Sequence, residues 1–312
     1  MGMDRLAIIA HNVNSTNRGL LAAAEALGLD AAVLTPEVAA RRLRRGDVAL
    51  GRLDVLPTMH GPERGLSTLA ALEARGVAVL NRAGPTLAAH DKLMTAIRLS
   101  SRALPHPRTA LVDAVFDPPF GWPVVVKPRF GSWGRDVAVC RSRIALENRL
   151  RHLRRRAWFR RQGALVQEFI EPRGYDLRIL VAAGEVVGAV QRVAKRGEWR
   201  TNVALGGGRA AADPPPHARM IALGAAAALG ADFVGVDLLP TGDGRWVILE
   251  VNGAVDFTAE YGLAGENVFD RVVQSLARSV GWETETRDQR LGRLSGAPLR
   301  VGAIAARAEQ AT

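Results

Sequence analysis

Lysine is almost missing from this 312-residue chain: of 42 basic residues only three are lysine, Lys92, Lys127 and Lys195. A bias that converts nearly every surface cation to arginine leaves lysine where a compact, rotatable ammonium on a slim stem is wanted. Such a group reaches a phosphate in places where a planar guanidinium fork does not fit. Lys92 follows Asp91 at the expected start of a helix, and Lys127 ends the apolar run Pro123-Val124-Val125-Val126 ahead of a glycine loop. For these two the context favours phosphate contact, whereas for Lys195 drift is as good an explanation.

Cysteine is scarce too. The single thiol, Cys140, excludes an internal disulfide framework and has no second Cys or nearby His for a metal site or nucleophilic pair. It is expected to pack, and a reducing cytoplasm is the expected compartment. No apolar run approaches the roughly 20 residues that cross a bilayer. The opening Met1-Gly2-Met3-Asp4-Arg5 leads into five apolar residues, too few for a signal-peptide core. An apolar fraction of 48% and a charged fraction of 23% are those of a soluble globular protein with a sizeable core.

The net charge of +11 is mostly dispersed arginine. Its densest run places Arg151, Arg154, Arg155, Arg156, Arg160 and Arg161 around Trp158 and Phe159. Basic residues interleaved with aromatics fit nucleic acid, the solvated face of a helix, or an acidic protein or substrate steered by the field. The solvated face is the commonest of the three.

The pattern along the chain is mixed α/β. Strands at 6–10, 31–34 and 76–80 alternate with helices at 18–27 and 65–75, which argues for a small parallel sheet. Two prolines make 105–109 a linker. Then come a strand at 124–126, a glycine loop, a strand at 137–140, one long helix at 142–159 and a strand at 164–169. Longer strands follow at 176–181, 186–193, 233–239 and 246–251, with helices at 216–229 and 268–280. From 283 the periodicity fades, and a mobile tail is expected.

Four constellations carry chemistry. The first is Lys127 followed by Gly131-Ser132-Trp133-Gly134, where glycines let the backbone bend over a phosphate. It is not a Walker motif, and alone an ordinary hairpin loop fits as well. The second is Gln167-Glu168-Phe169-Ile170, ending an apolar strand that could present backbone groups to an adenine, or simply be an edge strand. The third is Asp176, Arg178, Arg192, Arg200 and Asn202. Asp176 and Arg178 share a strand face, either as surface ion pairs or as holders of a phosphoryl group and a carboxylate. The fourth is Asp237 with Glu250 and Asn252, polar interruptions of two apolar strands joined by a turn. So much negative charge in buried strands is better explained by magnesium, a hard cation that takes oxygen ligands, than by a pair of exposed hairpin acids.

In this order the motifs resemble the ATP-grasp ligases of the RimK/LysX type, a family of amino-acid ligases, over about residues 81–280. The resemblance implies an ATP-grasp fold, α/β in the α+β sense. It would comprise an N-terminal open α/β domain (1–88), a small central lid (89–165) and a C-terminal antiparallel-sheet domain (166–282), with the tail at 283–312. It further implies that Lys92, Lys127 and the loop Gly131, Ser132, Trp133 and Gly134 contact ATP phosphates. Gln167, Glu168, Phe169 and Ile170 would hold adenine, and Asp176 would lie near the ribose. Asp237, Glu250 and Asn252 would bind magnesium, with manganese as a substitute. Arg178, Arg192 and Asn202 would face the γ-phosphate and the acceptor carboxylate. The expected reaction joins a glutamate-like amino acid to a carboxylate of an acidic carrier protein, a peptide or a cofactor, in a cytoplasmic dimer or tetramer. One departure stands out: Leu205 precedes Gly206-Gly207 where the family has arginine. The rival expectation, from another class, is a catalytically idle scaffold that binds a polyanion or nucleic acid through the arginine run.

Overall fold

The computed structural model describes residues 5–114, 116–282 and 284, so the expected tail lies, except for Thr284, outside the described residues. The chain opens with a parallel sheet in the order β2-β1-β3-β4, built from β1 (Arg5–Ile9), β2 (Asp30–Leu34), β3 (Val48–Gly51) and β4 (Ala78–Leu80). Three helices connect them: α1 (Ser15–Ala26), α2 (Pro36–Arg42) and α3 (Leu66–Ala74). α2 and β3 are too short to leave a periodic signature. α2 is set instead by its first turn, where Thr35 accepts from Val38 N–H and Pro36 occupies the first helical position.

A pair of helices, α4 (Ala83–His90) and α5 (Lys92–Ser101), leads out of this sheet. Asp91 separates them and caps α5, accepting from the N–H groups of Leu93 and Met94. A small antiparallel sheet follows in the order β5-β8-β6-β7, from β5 (Thr109–Val112), β6 (Val124–Lys127), β7 (Ala138–Cys140) and β8 (Ala164–Glu168). Its outer face packs on two helices, α6 (Arg143–Leu153) and α7 (Ala157–Gln162). The single helix expected over 142–159 is therefore broken at 154–156. Leu146, Leu150 and Leu153 form one buried stripe, and the break lets the adjacent Trp158 and Phe159 both enter the same core. Asp136 anchors the break, accepting from Trp158 Nε1 at 3.1 Å with Arg149 and Arg156 close by. Cys140 packs in this core as expected.

The large sheet is antiparallel, in the order β11-β10-β9-β12-β13, from β9 (Tyr175–Ala182), β10 (Glu185–Val193), β11 (Gly208–Ala211), β12 (Phe233–Pro240) and β13 (Trp246–Asn252). Its back is covered by α8 (Pro216–Leu229) together with α4 and α5. Half of its front is covered by α1 and α9 (Val268–Ser279), in a core shared with the first sheet through Leu6, Ile8, Leu180, Phe233 and Phe257. The other half of the front faces the small sheet across a cleft. One boundary expected from sequence does not follow these contacts: β8 runs through 165/166 within the small sheet. α5 packs against both sheets, through β13 and β5.

Candidate active site

The cleft encloses about 990 Å³, part of it open to solvent. Register explains how the large sheet furnishes its floor. Arg192 pairs with Asp176 across β10 and β9, while Arg178 pairs with Asp237, and Asp237 in turn with Glu250. Cross-strand partners project to one face, so residues distant in sequence form a single charged row. Between Asp237 and Leu238 the ladder shifts register. The resulting bulge lets the consecutive residues Leu249 and Glu250 both border the cleft.

That row is bonded internally. Arg178 donates to both oxygens of Asp237, each at 2.7 Å. Arg192 donates to Asp176 at 2.8 and 2.5 Å, and its Nη2 also lies 2.9 Å from Asp237 Oδ2. Thr201 Oγ1 donates to Asp176 at 2.5 Å. Burial alone would raise the Asp237 carboxyl, but the two arginines overcome that and hold it at about 2. Burial would likewise lower Arg192, and Asp237 and Asp176 reverse it, raising its pKa. Asp176 is fully buried with both oxygens committed to Arg192 and Thr201, so a ribose contact would have to compete with those bonds. Arg178 lies behind Asp237 and does not border the cleft.

The roof comes from the small sheet. Val125, Lys127 and Gln167 point inward, opposite the face that packs on α6 and α7. Lys127 Nζ donates to Gln167 Oε1 at 2.8 Å. Burial pulls its pKa down to about 8, with Glu250 opposing and Lys92 reinforcing the shift. Lys92, the first residue of α5, donates to the Gly131 carbonyl at 2.6 Å and pairs with Glu250 Oε1 at 2.9 Å. Its position is fixed by Asp91, which both caps the helix and is gripped by Arg129 at 2.7 and 2.5 Å. Lys195 lies outside the cleft, beside Gly206.

At one end, Glu168, Phe169 and Ile170 border the cleft. Arg108 holds the Glu168 side chain in a two-pronged pair, both contacts 3.1 Å, which keeps its carboxyl below the usual range. The glycine loop closes over the opening. Gly134 has φ +68°, and a Cβ there would stand 3.1 Å from Asn202 Oδ1, so this turn needs glycine for its conformation and for its close approach to the facing loop. Arg200 donates to the Gly134 carbonyl at 3.1 Å, oriented by Glu198 at 2.9 and 2.8 Å. Leu205 sits against the same glycine.

Of the residues singled out from sequence, the cleft gathers Lys92, Lys127, the loop 131–134, the segment 167–170, Asp176, Arg192, Asn202, Asp237 and Glu250. Asn252 borders a smaller adjoining chamber, where its Nδ2 is buried without a partner among the described residues. Asp237, Glu250 and Asn252 would offer a hard divalent cation two carboxylates and an amide oxygen, with both Asp237 oxygens held by arginine and Glu250 by Lys92. Sequence reasoning missed Trp199, whose ring lies 6.0 Å from Phe169 at the cleft. It also missed Arg108 and Thr201, which fall in segments with no periodic pattern.

A family model described as the RimK-like ATP-grasp domain matches residues 73–276. The chain belongs to the RimK-like ATP-grasp family. Among its relatives, a protein of Parasynechococcus marenigrum named a probable alpha-L-glutamate ligase is 30% identical over 297 residues, 89% of this chain. The matched region spans 63% of that relative's length. The ribosomal protein bS6–L-glutamate ligase of Salmonella paratyphi B is 32% identical over 247 residues, 76% of this chain and 79% of that one. A RimK-domain ATP-grasp protein of Sphaerobacter thermophilus, solved by crystallography, superposes with a TM-score of 0.65 at 26% identity, covering 87% of this chain and 98% of the other. The RimK-like ATP-grasp fold agrees with the expected α+β architecture. No helix among the described residues is long and apolar enough to cross a membrane.

Proposed function

We propose that this RimK-like ATP-grasp protein is an ATP-dependent carboxylate–amine ligase that joins glutamate or a glutamate-like amino acid to a carboxylate of a polypeptide. The observation that carries this reading is one cleft that brings two buried or half-buried lysines together with Asp237, Glu250 and Arg192. ATP phosphates would lie against the lysines, and adenine would lie at Glu168, Phe169 and Ile170.

In the first step a carboxylate oxygen of the acceptor attacks the γ-phosphorus, the bond to the β-phosphate oxygen breaks, and ADP leaves. In the second, the amine attacks the acyl carbon, the carbon–oxygen bond breaks, phosphate leaves, and the amine nitrogen loses its proton. Lys92 and Lys127 place compact charges against the phosphates, and Arg192, held by Asp176 and Asp237, would lend its charge to a transferring group. Asp237, Glu250 and Asn252 would hold magnesium or manganese, which neutralises phosphate charge when bound. No residue is required as a covalent nucleophile. The idle-scaffold alternative gains nothing from this arrangement, because both lysines, both carboxylates and Arg192 meet in the one cleft.

The test is an ADP-release assay with glutamate and peptides ending in glutamate, with products read by mass spectrometry. Acceptor-dependent ADP release with a mass gain of one or more glutamyl units is expected. ATP binding without ADP release for any acceptor would overturn the reading.

A further inference from the structure

Next to the nucleotide cleft is a small chamber, about 250 Å³ with its part open to solvent included. It shares Lys92, Ser132 and Glu250 with the cleft and is completed by Asp54, His90 and Asn252. The two spaces therefore meet at the lysine–glutamate pair, where the phosphates would end. We infer that this chamber receives the amine reactant as its ammonium form and that the Asp54 carboxylate binds it; this rests on the ligase reading above.

Charge selects the occupant. Glu250 is paired with Lys92. His90 is kept neutral-leaning by burial, which lowers its pKa, and its Nε2 is engaged with the Leu53 carbonyl at 2.6 Å. Among the described residues Asp54 makes no ion pair, and its Oδ1 accepts only from the next backbone N–H, that of Val55, at 2.6 Å. A half-buried carboxylate with one oxygen free, within the field of the buried Arg52 but not bonded to it, takes a cation that donates hydrogen bonds. The buried Nδ2 of Asn252, which has no partner among the described residues, is a donor and takes an acceptor, such as the carboxylate of an amino acid.

Asp54 is also held rigidly enough to discriminate. Its N–H donates to Glu63 at 2.9 Å, its carbonyl accepts from Glu63 N–H at 2.7 Å, and a Val55–Pro62 bridge closes the loop. The tip of that loop is tied to the small sheet, with the Met59 carbonyl accepting from Gln162 at 2.7 Å and its sulfur against Gly131. An ammonium held here would lie beside the site where the acyl phosphate forms, so transfer of one proton to solvent water would leave the nitrogen lone pair free to attack.

Isothermal titration calorimetry on the full chain, loaded with magnesium and the non-hydrolysable analogue AMP-PNP, tests the inference with each of the twenty L-amino acids as probe. One or more should bind, glutamate first among them. Its α-hydroxy counterpart, which lacks only the ammonium, should bind about 10- to 100-fold more weakly to the unaltered protein. Asp54→Asn keeps the bond to Val55 N–H, and should weaken the amino acid by a similar factor while leaving the hydroxy acid and AMP-PNP unchanged. Equal affinity of the amino and hydroxy acids, or of Asp54→Asn and the unaltered chain for the amino acid, would overturn it. Binding of AMP-PNP with no amino acid bound would also overturn it, leaving the nucleotide site standing. Failure to bind AMP-PNP would instead count against the ligase reading itself.

Discussion

Nucleotide binding should draw a proton onto Lys127. In the ligand-free protein, burial lowers this ammonium to about 8 from its ordinary 10.5. Phosphates placed against Nζ would restore it toward the ordinary value. A full return from about 8 to 10.5 caps the coupling at about 3 kcal/mol. The sign follows from the bound form having the higher pKa. Below about 8 the lysine is charged in both states and the affinity is fully present. As pH rises from 8 toward 10.5, affinity falls by up to about tenfold per unit. Uptake should be about 0.1 proton at pH 7, about 0.5 at pH 8 and about 0.9 at pH 9. Calorimetry with AMP-PNP in two buffers of different ionisation enthalpy reads this number directly. Lys127→Met should weaken binding and abolish the uptake. Lys127→Arg should also abolish it, and should impair turnover because the fork is too broad for a site filled by one ammonium. Absence of uptake at pH 8 in the unaltered chain, or its persistence in Lys127→Met, would refute the reasoning.

Glu250→Gln should weaken metal-dependent ATP hydrolysis far more than AMP-PNP binding, because it removes a charged oxygen from the metal set and frees Lys92; normal hydrolysis would place the metal elsewhere. Asp176→Asn should cost about 3 kcal/mol in urea unfolding, since it leaves the buried Arg192 with Asp237 alone. Replacing Arg154, Arg155 and Arg156, all exposed, with glutamate should raise the Michaelis constant for an acidic polypeptide acceptor and leave that for ATP near its original value. Added salt should do the same to the unaltered enzyme, because exposed charges are screened over about 8 Å, whereas a purely solvated face predicts no acceptor effect from either change.

Much of the site was legible because polar residues interrupted apolar strands. Lys127 ends a valine run, and Asp237 and Glu250 break two buried strands, so each announced itself without tertiary knowledge. Their bonding did not. That Asp237 is clasped by Arg178 and Arg192 follows from the register of β9, β10 and β12, which joins residues 59 and 45 positions apart. A shift of one residue would turn them to opposite faces. Asp176 illustrates the consequence: strand alternation placed it on the cleft face, but only the paired strand revealed that Arg192 occupies it. The break at 154–156 was hidden for a related reason, since the helical stripe of leucines is satisfied up to Leu153 and the need to bury Trp158 and Phe159 together is a property of the core. Asp54 lies between a short strand and a loop, with no motif around it, and gains meaning only from the chamber it borders.

The central claim, that ATP energy passes through the acceptor's own carboxylate, is tested most directly by isotope transfer. A peptide ending in glutamate, labelled with oxygen-18 in its carboxylates, is turned over with ATP, magnesium and free glutamate, and the released phosphate is examined by mass spectrometry. Each phosphate should carry one labelled oxygen, because the carboxylate oxygen that attacks phosphorus stays with it when the amine displaces it from carbon. Unlabelled phosphate accompanying product formation would contradict an acyl phosphate, and unlabelled phosphate without product would show that the cleft hydrolyses ATP and does not ligate.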